Sequence, residues 1–204
     1  MKRTRLAAVA LLATVTLAAC GDEQPDDSSG NGGATDLTSA PADAQWRSVK
    51  GIKVPFSQDC GPAVSADEVK TGYKQTPQCG VIAAINGQVA LATTDDDHWP
   101  EMANKLLAPG EGKNQWVQAR ASQSIRGTVK NPAQFVGFKI TDYSEDSMMV
   151  LLAVTWPDGK TTAQATQLAW QGDDWRLVLP SQDKAPDAVQ LDNLDGFTEF
   201  RAEG

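Results

Sequence analysis

Histidine and cysteine are scarce in this sequence, which has one histidine and three cysteines among 204 residues. A zinc site with two histidine ligands is therefore excluded, and few thiols remain to replace them. The sequence also lacks the G-x-S-x-G turn that presents a serine nucleophile, and it contains neither a P-loop nor a G-x-G-x-x-G pattern. These absences argue against the most recognisable hydrolase and nucleotide-binding sites.

Positive charge is also in short supply, because 18 Lys and Arg residues stand against 26 Asp and Glu residues. The net charge of −8 becomes −11 once the three positive charges before residue 20 are removed. No basic stripe with interleaved aromatic residues occurs, so we expect no nucleic-acid partner. An acidic chain is equally poorly suited to adsorb on an anionic bilayer surface through its own charge.

The first nineteen residues predict export. Three positive charges in Met1–Arg5 precede the apolar stretch Leu6–Ala19, which is shorter than the roughly 20 residues needed to span a bilayer. Leu17-Ala18-Ala19-Cys20 resembles the bacterial lipobox, in which a signal peptidase cuts before a cysteine that carries diacylglycerol. The resemblance implies lipidation of Cys20, with acyl chains such as palmitate, on the extracytoplasmic face of the cell membrane. The alternative is an ordinary secreted protein in which Cys20 is incidental.

The composition divides the chain into three parts: a signal peptide over 1–19, a lipidated cysteine and acidic tether over 20–45, and one domain over 46–204. The tether holds one leucine and no aromatic residue, so it cannot bury enough apolar surface to order itself. Cys60 and Cys79 then remain as an even pair in an oxidising compartment. A disulfide between them would contribute roughly 3 kcal/mol, and two separate thiols are the alternative.

Periodicity predicts helices first and a sheet afterwards. Thr76-Pro77 is a helix start, and apolar residues recur at helical spacing through about Thr93. From Phe135 the period changes to that of strands, and the apolar run 148–156 is typical of a central strand. Trp170 and Trp175 are expected to face each other across a hairpin. The predicted class is α+β, with N-terminal helices packed on a curved, cone-like antiparallel sheet of about four strands.

Four segments carry a resemblance to a known family: 51–55 (GIKVP), 72–78 (GYKQTPQ), 168–177 (LAWQGDDWRL) and 194–197 (LDGF). On these residues the domain resembles a family of actinobacterial lipoproteins and secreted proteins of unassigned function. The resemblance covers most of 46–200. It implies a cone-shaped fold like that of nuclear transport factor 2. Some relatives are associated with conjugative elements, which implies an envelope protein as partner.

Asp95-Asp96-Asp97-His98 is the one cluster that could bind a metal or transfer protons. Capping of the following helix needs only one of these acids and is the simplest interpretation. A weak calcium site and acid–base catalysis are the alternatives. We therefore expect no cofactor, no metal site and no catalytic residue. The six tryptophans are expected mainly in the core, although they could also line a pocket.

Three functions remain open at this stage. The lipid anchor, the tether and the missing catalytic set favour a non-enzymatic interaction module, in an assembly for conjugation or secretion. The second is a lipoprotein that binds a small ligand in an apolar cavity. The third is an acid–base enzyme, which would need an inward-facing pair such as an aspartate with His98.

Overall fold

The computed structural model describes residues 34–66 and 69–203, and the compact unit within them begins at Thr35. The predicted signal peptide, Cys20 and most of the predicted tether lie outside the described residues. The strands and helices, in chain order, are β1 Gln45–Val49, β2 Ile52–Phe56, β3 Val64–Ala66, β4 Val69–Thr71, α1 Pro77–Thr93, α2 Trp99–Leu106, α3 Glu111–Ala121, β5 Gln134–Tyr143, β6 Ser147–Thr155, β7 Thr161–Trp170, β8 Trp175–Val178, β9 Val189–Leu191 and β10 Thr198–Glu199.

Six strands form the main antiparallel sheet in the order β10-β5-β6-β7-β8, and β9 also pairs with β7. β6 lies at the centre, as its apolar sequence predicted, and it pairs along its full length with β7. Trp170 and Trp175 are direct partners in the β7–β8 ladder, with ring centroids 5.3 Å apart at an interplanar angle of 75°. The predicted tryptophan pair is therefore confirmed.

The predicted fold class is wrong. Within the described residues the chain is mostly β, with three short helices, a six-stranded sheet and two separate hairpins, β1–β2 and β3–β4. Helices packed on a cone-like sheet of about four strands do not describe it. The error arose because the additional strands are short or interrupted: Pro55 stands inside β2, and β9 and β10 have three and two residues.

α1 begins as predicted, because the Thr76 hydroxyl accepts a hydrogen bond from the Cys79 N–H and Pro77 occupies the first turn. One apolar stripe was expected along it, but the helix is buried around most of its circumference. The main sheet covers one side, and β2 covers another, where the Asn86 amide donates to the Pro55 carbonyl at 2.8 Å. A helix covered on several sides needs apolar residues all round.

A segment over residues 192–197 crosses the main sheet from β9, at the edge of β7, to β10, at the edge of β5. Side chains alternate along β6, and those of Met148, Val150 and Leu152 belong to the core beside α1. Ala153 therefore lies on the opposite face, yet it is fully buried. The face of the sheet that α1 leaves open is therefore covered at Ala153.

Residues 35–44 contact this domain, although the sequence placed them in the tether. The Gln78 side-chain amide donates to the Asp36 carbonyl at 2.9 Å, and the Thr198 hydroxyl donates to the Thr38 carbonyl. Leu37 packs against the main core. The chain therefore enters the compact unit beside the start of α1 and beside β10.

Candidate functional site

Cys60 and Cys79, the candidate disulfide pair, are joined in the structure, with a Cα–Cα distance of 4.7 Å. The bond ties the turn after β2 to the first turn of α1. Both cysteines are buried, and the Lys74 N–H donates to the Cys60 carbonyl at 3.2 Å. The bond therefore fixes one end of a surface turn, residues 57–61, against the helix that organises the core.

The same turn is fixed at its other end by Asp43. One carboxylate oxygen accepts from the Ser57 hydroxyl at 2.7 Å, and the other accepts from the Gln58 N–H at 2.9 Å. The hydrogen bond from Ser57 is the main reason that the pKa of Asp43 lies below its usual value of 3.8. Ser57 and Gly61 also exchange two backbone hydrogen bonds of 3.0 Å. The turn is thus held by covalent, side-chain and backbone contacts.

A groove of about 400 Å³ lies between this turn, the β1–β2 hairpin and the β3–β4 hairpin. We call it the Arg47 groove. The Arg47 guanidinium lies 4.6 Å from the centre of the Phe56 ring, and the Lys74 ammonium lies 3.8 Å from an Asp59 carboxylate oxygen. Arg47 and Lys74 give the groove more positive than negative charge among its lining residues. Such a surface favours an anionic group on a protein that is acidic overall.

A second, more open groove of about 760 Å³ adjoins β1 and is named here the Trp46 groove. Trp46 packs on Phe200 with ring centroids 5.0 Å apart. Among the charged residues of its rim, Glu199 pairs with Arg201 at 2.7 Å, and Asp43 and Glu203 add two more carboxylates. The Trp46 groove therefore combines an apolar floor with an acidic rim, the opposite charge balance from the Arg47 groove.

Asp174 is remote in sequence from the Arg47 groove but holds part of its wall by direct hydrogen bonds. Its buried carboxylate accepts from the Gly72 N–H at 2.8 Å, the Tyr73 N–H at 3.1 Å and the Trp175 N–H at 2.9 Å. Burial, aided by the charge of Asp174, raises the pKa of the Tyr73 hydroxyl well above its usual value. The neighbouring Asp173 has a different role, because it lies in the turn between β7 and β8 with a φ of 62°.

The aspartates of the Asp95–His98 cluster accept hydrogen bonds that hold neighbouring loops in the described part of the chain. Asp95 accepts from the backbone N–H of His98 at 3.2 Å and lies 2.7 Å from its Nδ1, so it closes the turn that precedes α2. The expected cap by an aspartate is wrong, because the N-cap of α2 is His98 and it makes no side-chain cap hydrogen bond. Asp96 accepts from Arg120, Ser124 and the Ile125 N–H. These hydrogen bonds, that from Ser124 foremost, hold the pKa of Asp96 well below its usual value.

The described residues contain no group of three potential metal-ligating side chains and no helix long and apolar enough to cross a membrane. Two small grooves lie beside α1. One, of about 260 Å³, has Val129, Phe135 and Trp156 in its lining, and the other, of about 290 Å³, has Met149 and Leu177. Trp156 is 41% exposed there, so it is one of the tryptophans that does not belong to the core.

The architecture defines a mostly β domain whose surface grooves are held by a disulfide and by buried hydrogen bonds. The chain belongs to the family described as Domain of unknown function (DUF8175), whose family model matches residues 12–199. No curated protein and no solved structure matches the chain.

Proposed function

We propose that this chain is an exported lipoprotein, anchored through Cys20 on the outer side of the cytoplasmic membrane, that acts as a non-enzymatic interaction module. Its partner would be a protein of the cell envelope, in an assembly such as one for conjugation or secretion. The order of charged region, apolar region and Leu-Ala-Ala-Cys supports the address. The Cys60–Cys79 disulfide is consistent with an oxidising compartment.

One observation carries the proposal of an interaction module: two grooves of opposite charge balance adjoin the same exposed strand, β1. The turn beside the Arg47 groove is held by a disulfide and by Asp43, so its shape does not have to be assembled on binding. Preorganised surfaces lose less conformational freedom on association and therefore bind more tightly. A rigid surface with paired charged and apolar regions suits recognition of another protein.

Binding of a small ligand is a weaker proposal. The two small grooves beside α1 have volumes of about 260 and 290 Å³, below the roughly 300–1,000 Å³ that drug-sized ligands occupy. The larger Arg47 and Trp46 grooves have the volume, but both have charged side chains in their lining, unlike the apolar cavity that this function needs. Acid–base catalysis has less support still, because the carboxylates are engaged in structural hydrogen bonds: Asp95 accepts from the His98 N–H of its own loop, and Asp96 accepts from the Ile125 N–H after α3. His98 is 35% exposed at the start of α2, whereas a catalytic pair would be expected to face a pocket.

The test has two parts, both on the full chain in its native host. Mass spectrometry of the membrane fraction should find the processed N-terminus with lipid on Cys20, and Cys20→Ala should remove the protein from that fraction. Cross-linking in living cells followed by affinity capture should then recover an envelope protein in fixed stoichiometry. Unlipidated Cys20 in a membrane-free protein would refute the anchor, and repeated recovery of the protein alone would refute the interaction module.

A further inference from the structure

The outer edge of β1 has the geometry of an open docking strand. In the β1–β2 hairpin, Val49 pairs with Ile52 across the two-residue turn Lys50-Gly51, where φ is 50° and 95°. A turn with two positive φ values joins strands through a hydrogen-bonded pair, and such pairs alternate along the ladder. Arg47 therefore directs its N–H and C=O toward β2, whereas Trp46 and Ser48 direct theirs away from it.

Pro55 supports this register independently. It lies opposite Trp46, at a pair that exchanges no ladder hydrogen bonds, which is where a residue without an N–H fits a strand. Within the described residues, β1 pairs with no strand other than β2. In the part of the chain that the structure describes, the outward N–H and C=O groups of Trp46 and Ser48 have no backbone partner, and Ser48 is exposed.

The two grooves adjoin opposite faces of β1. Arg47 lines one groove and Trp46 lines the other, and consecutive residues of a strand point to opposite faces. A strand hydrogen-bonded to β1 would therefore send alternate side chains toward the Arg47 groove and the Trp46 groove. Added strands gain affinity from the backbone and specificity from pockets for alternate side chains.

Charge decides what kind of strand fits. The side chain opposite Arg47 would lie on the same face of the sheet as the Arg47 guanidinium, which stacks over Phe56 of β2. The excess positive charge of this face, from Arg47 and Lys74, favours an acidic residue there. A second copy of this chain is a poor occupant. The antiparallel register that pairs Trp46 of each β1 strand with Ser48 of the other, and so uses all the outward groups, places Arg47 opposite Arg47, and directly opposed like charges are destabilising.

We propose that β1 binds an extended segment of a partner protein by strand addition, and that this segment carries an acidic residue opposite Arg47. This inference rests on the proposed function, since it names the surface and the partner chemistry of the interaction module. The residues on the Trp46 side of the segment are apolar, because they meet Trp46 and Phe200.

The test uses the purified full-length chain in detergent and two capped eight-residue peptides. One alternates glutamate with valine, and the other alternates lysine with valine. The glutamate peptide should bind about tenfold more tightly, since exchanging the charge replaces an attraction by a repulsion. Amide protons of Trp46 and Ser48 should exchange rapidly in the free protein and become protected when it binds.

Variants separate backbone pairing from simple charge attraction. Ser48→Pro removes an outward N–H without removing a rung of the β1–β2 ladder, so it should abolish binding, whereas Ser48→Ala should bind normally. Arg47→Glu should reverse the peptide preference, and it decides the matter if Ser48→Pro does not fold. Equal affinity for both peptides, binding that survives Ser48→Pro, absence of binding, or protection of both amides by self-association would each overturn the proposal.

Failure of this inference can be told apart from failure of the proposed function. If Ser48→Pro and Arg47→Glu still capture the same envelope protein in stoichiometric amounts, the interaction module stands and the β1 surface is wrong. If no partner is captured while the glutamate peptide binds β1 as described, the surface stands and the proposed assembly role is wrong.

Discussion

Removing the Cys60–Cys79 bond should lower the free energy of unfolding by about 3 kcal/mol. The bond joins residues 19 apart in the sequence, and the chain-entropy model assigns about this value to a closed loop of roughly 20 residues. For a domain of this size the melting temperature should fall by about 6–12 °C. Both cysteines are buried, so Cys60→Ala/Cys79→Ala should lose somewhat more than simple reduction does.

The assay is urea unfolding followed by tryptophan fluorescence, with oxidised protein, reduced protein and the double alanine variant compared. Reduced wild-type protein is the matched control, because it loses the bond and keeps both sulfur atoms. The dependence of the unfolding free energy on urea should also steepen without the bond, since the unfolded chain then exposes more surface. A loss below about 1 kcal/mol with an unchanged slope would refute the reasoning that the bond acts on the unfolded chain.

Three further predictions concern packing, buried hydrogen bonds and pH. Gly112→Ala should cost about 2 kcal/mol in urea unfolding, because its methyl group would overlap backbone carbonyl oxygens. Gly110→Ala meets nothing within 4 Å and should cost at most about 1 kcal/mol, because alanine is a poorer N-cap than glycine. Equal losses would contradict the close packing of α3. Asp174→Ala should lower the free energy of unfolding by about 2–3 kcal/mol, because three N–H groups lose their acceptor. Asp173→Asn should be nearly neutral by the same assay. A harmless Asp174→Ala would show that water replaces the carboxylate. Asp96→Asn should reduce the free energy of unfolding near neutral pH. Its difference from wild type should shrink as the pH falls below the ordinary pKa of 3.8, because the stabilisation is lost as the carboxylate protonates through its lowered pKa. A difference that does not change between about pH 7 and about pH 3 would contradict this.

The parts of the fold that the sequence predicted well have strong local signals. α1 has a capping threonine followed by proline, β6 is apolar on both faces, and the Trp170–Trp175 pair flanks a turn with glycine and aspartate. Each signal lies within a few residues of the structure it determines. Local sequence patterns were therefore sufficient to predict these elements.

β1 and β2 were not among the strands predicted from the sequence, and a proline inside a segment such as β2 normally argues against a strand. The proline is acceptable at this place because Pro55 faces Trp46 at a pair without ladder hydrogen bonds. That relation depends on register, and register depends on the turn at Lys50-Gly51, which carries no asparagine or aspartate before its glycine. The sequence alone does not fix such a register, so the β1 surface was missed with it.

Asp174 shows why the candidate site was harder to predict than the fold. Its acceptor role links it to Gly72, 102 residues earlier in the chain, and no local pattern records that contact. The same holds for Arg47 and Lys74, which approach one groove only after the hairpins and the disulfide turn are assembled. An acidic total charge gave no hint of a locally cationic surface.

The entry of the chain at Asp36 and Thr38 has a mechanical consequence. A pulling force transmitted through residue 35 first reaches the contacts with Gln78 and Thr198. Gln78 adjoins the cross-linked first turn of α1, which resists extension covalently, whereas Thr198 belongs to a strand held by only two residue pairs. Under load, β10 should therefore peel from the sheet before α1 yields. If the domain is held between a membrane and a partner, the β10–β5 pairing would therefore separate first, while the disulfide keeps the start of α1 in place.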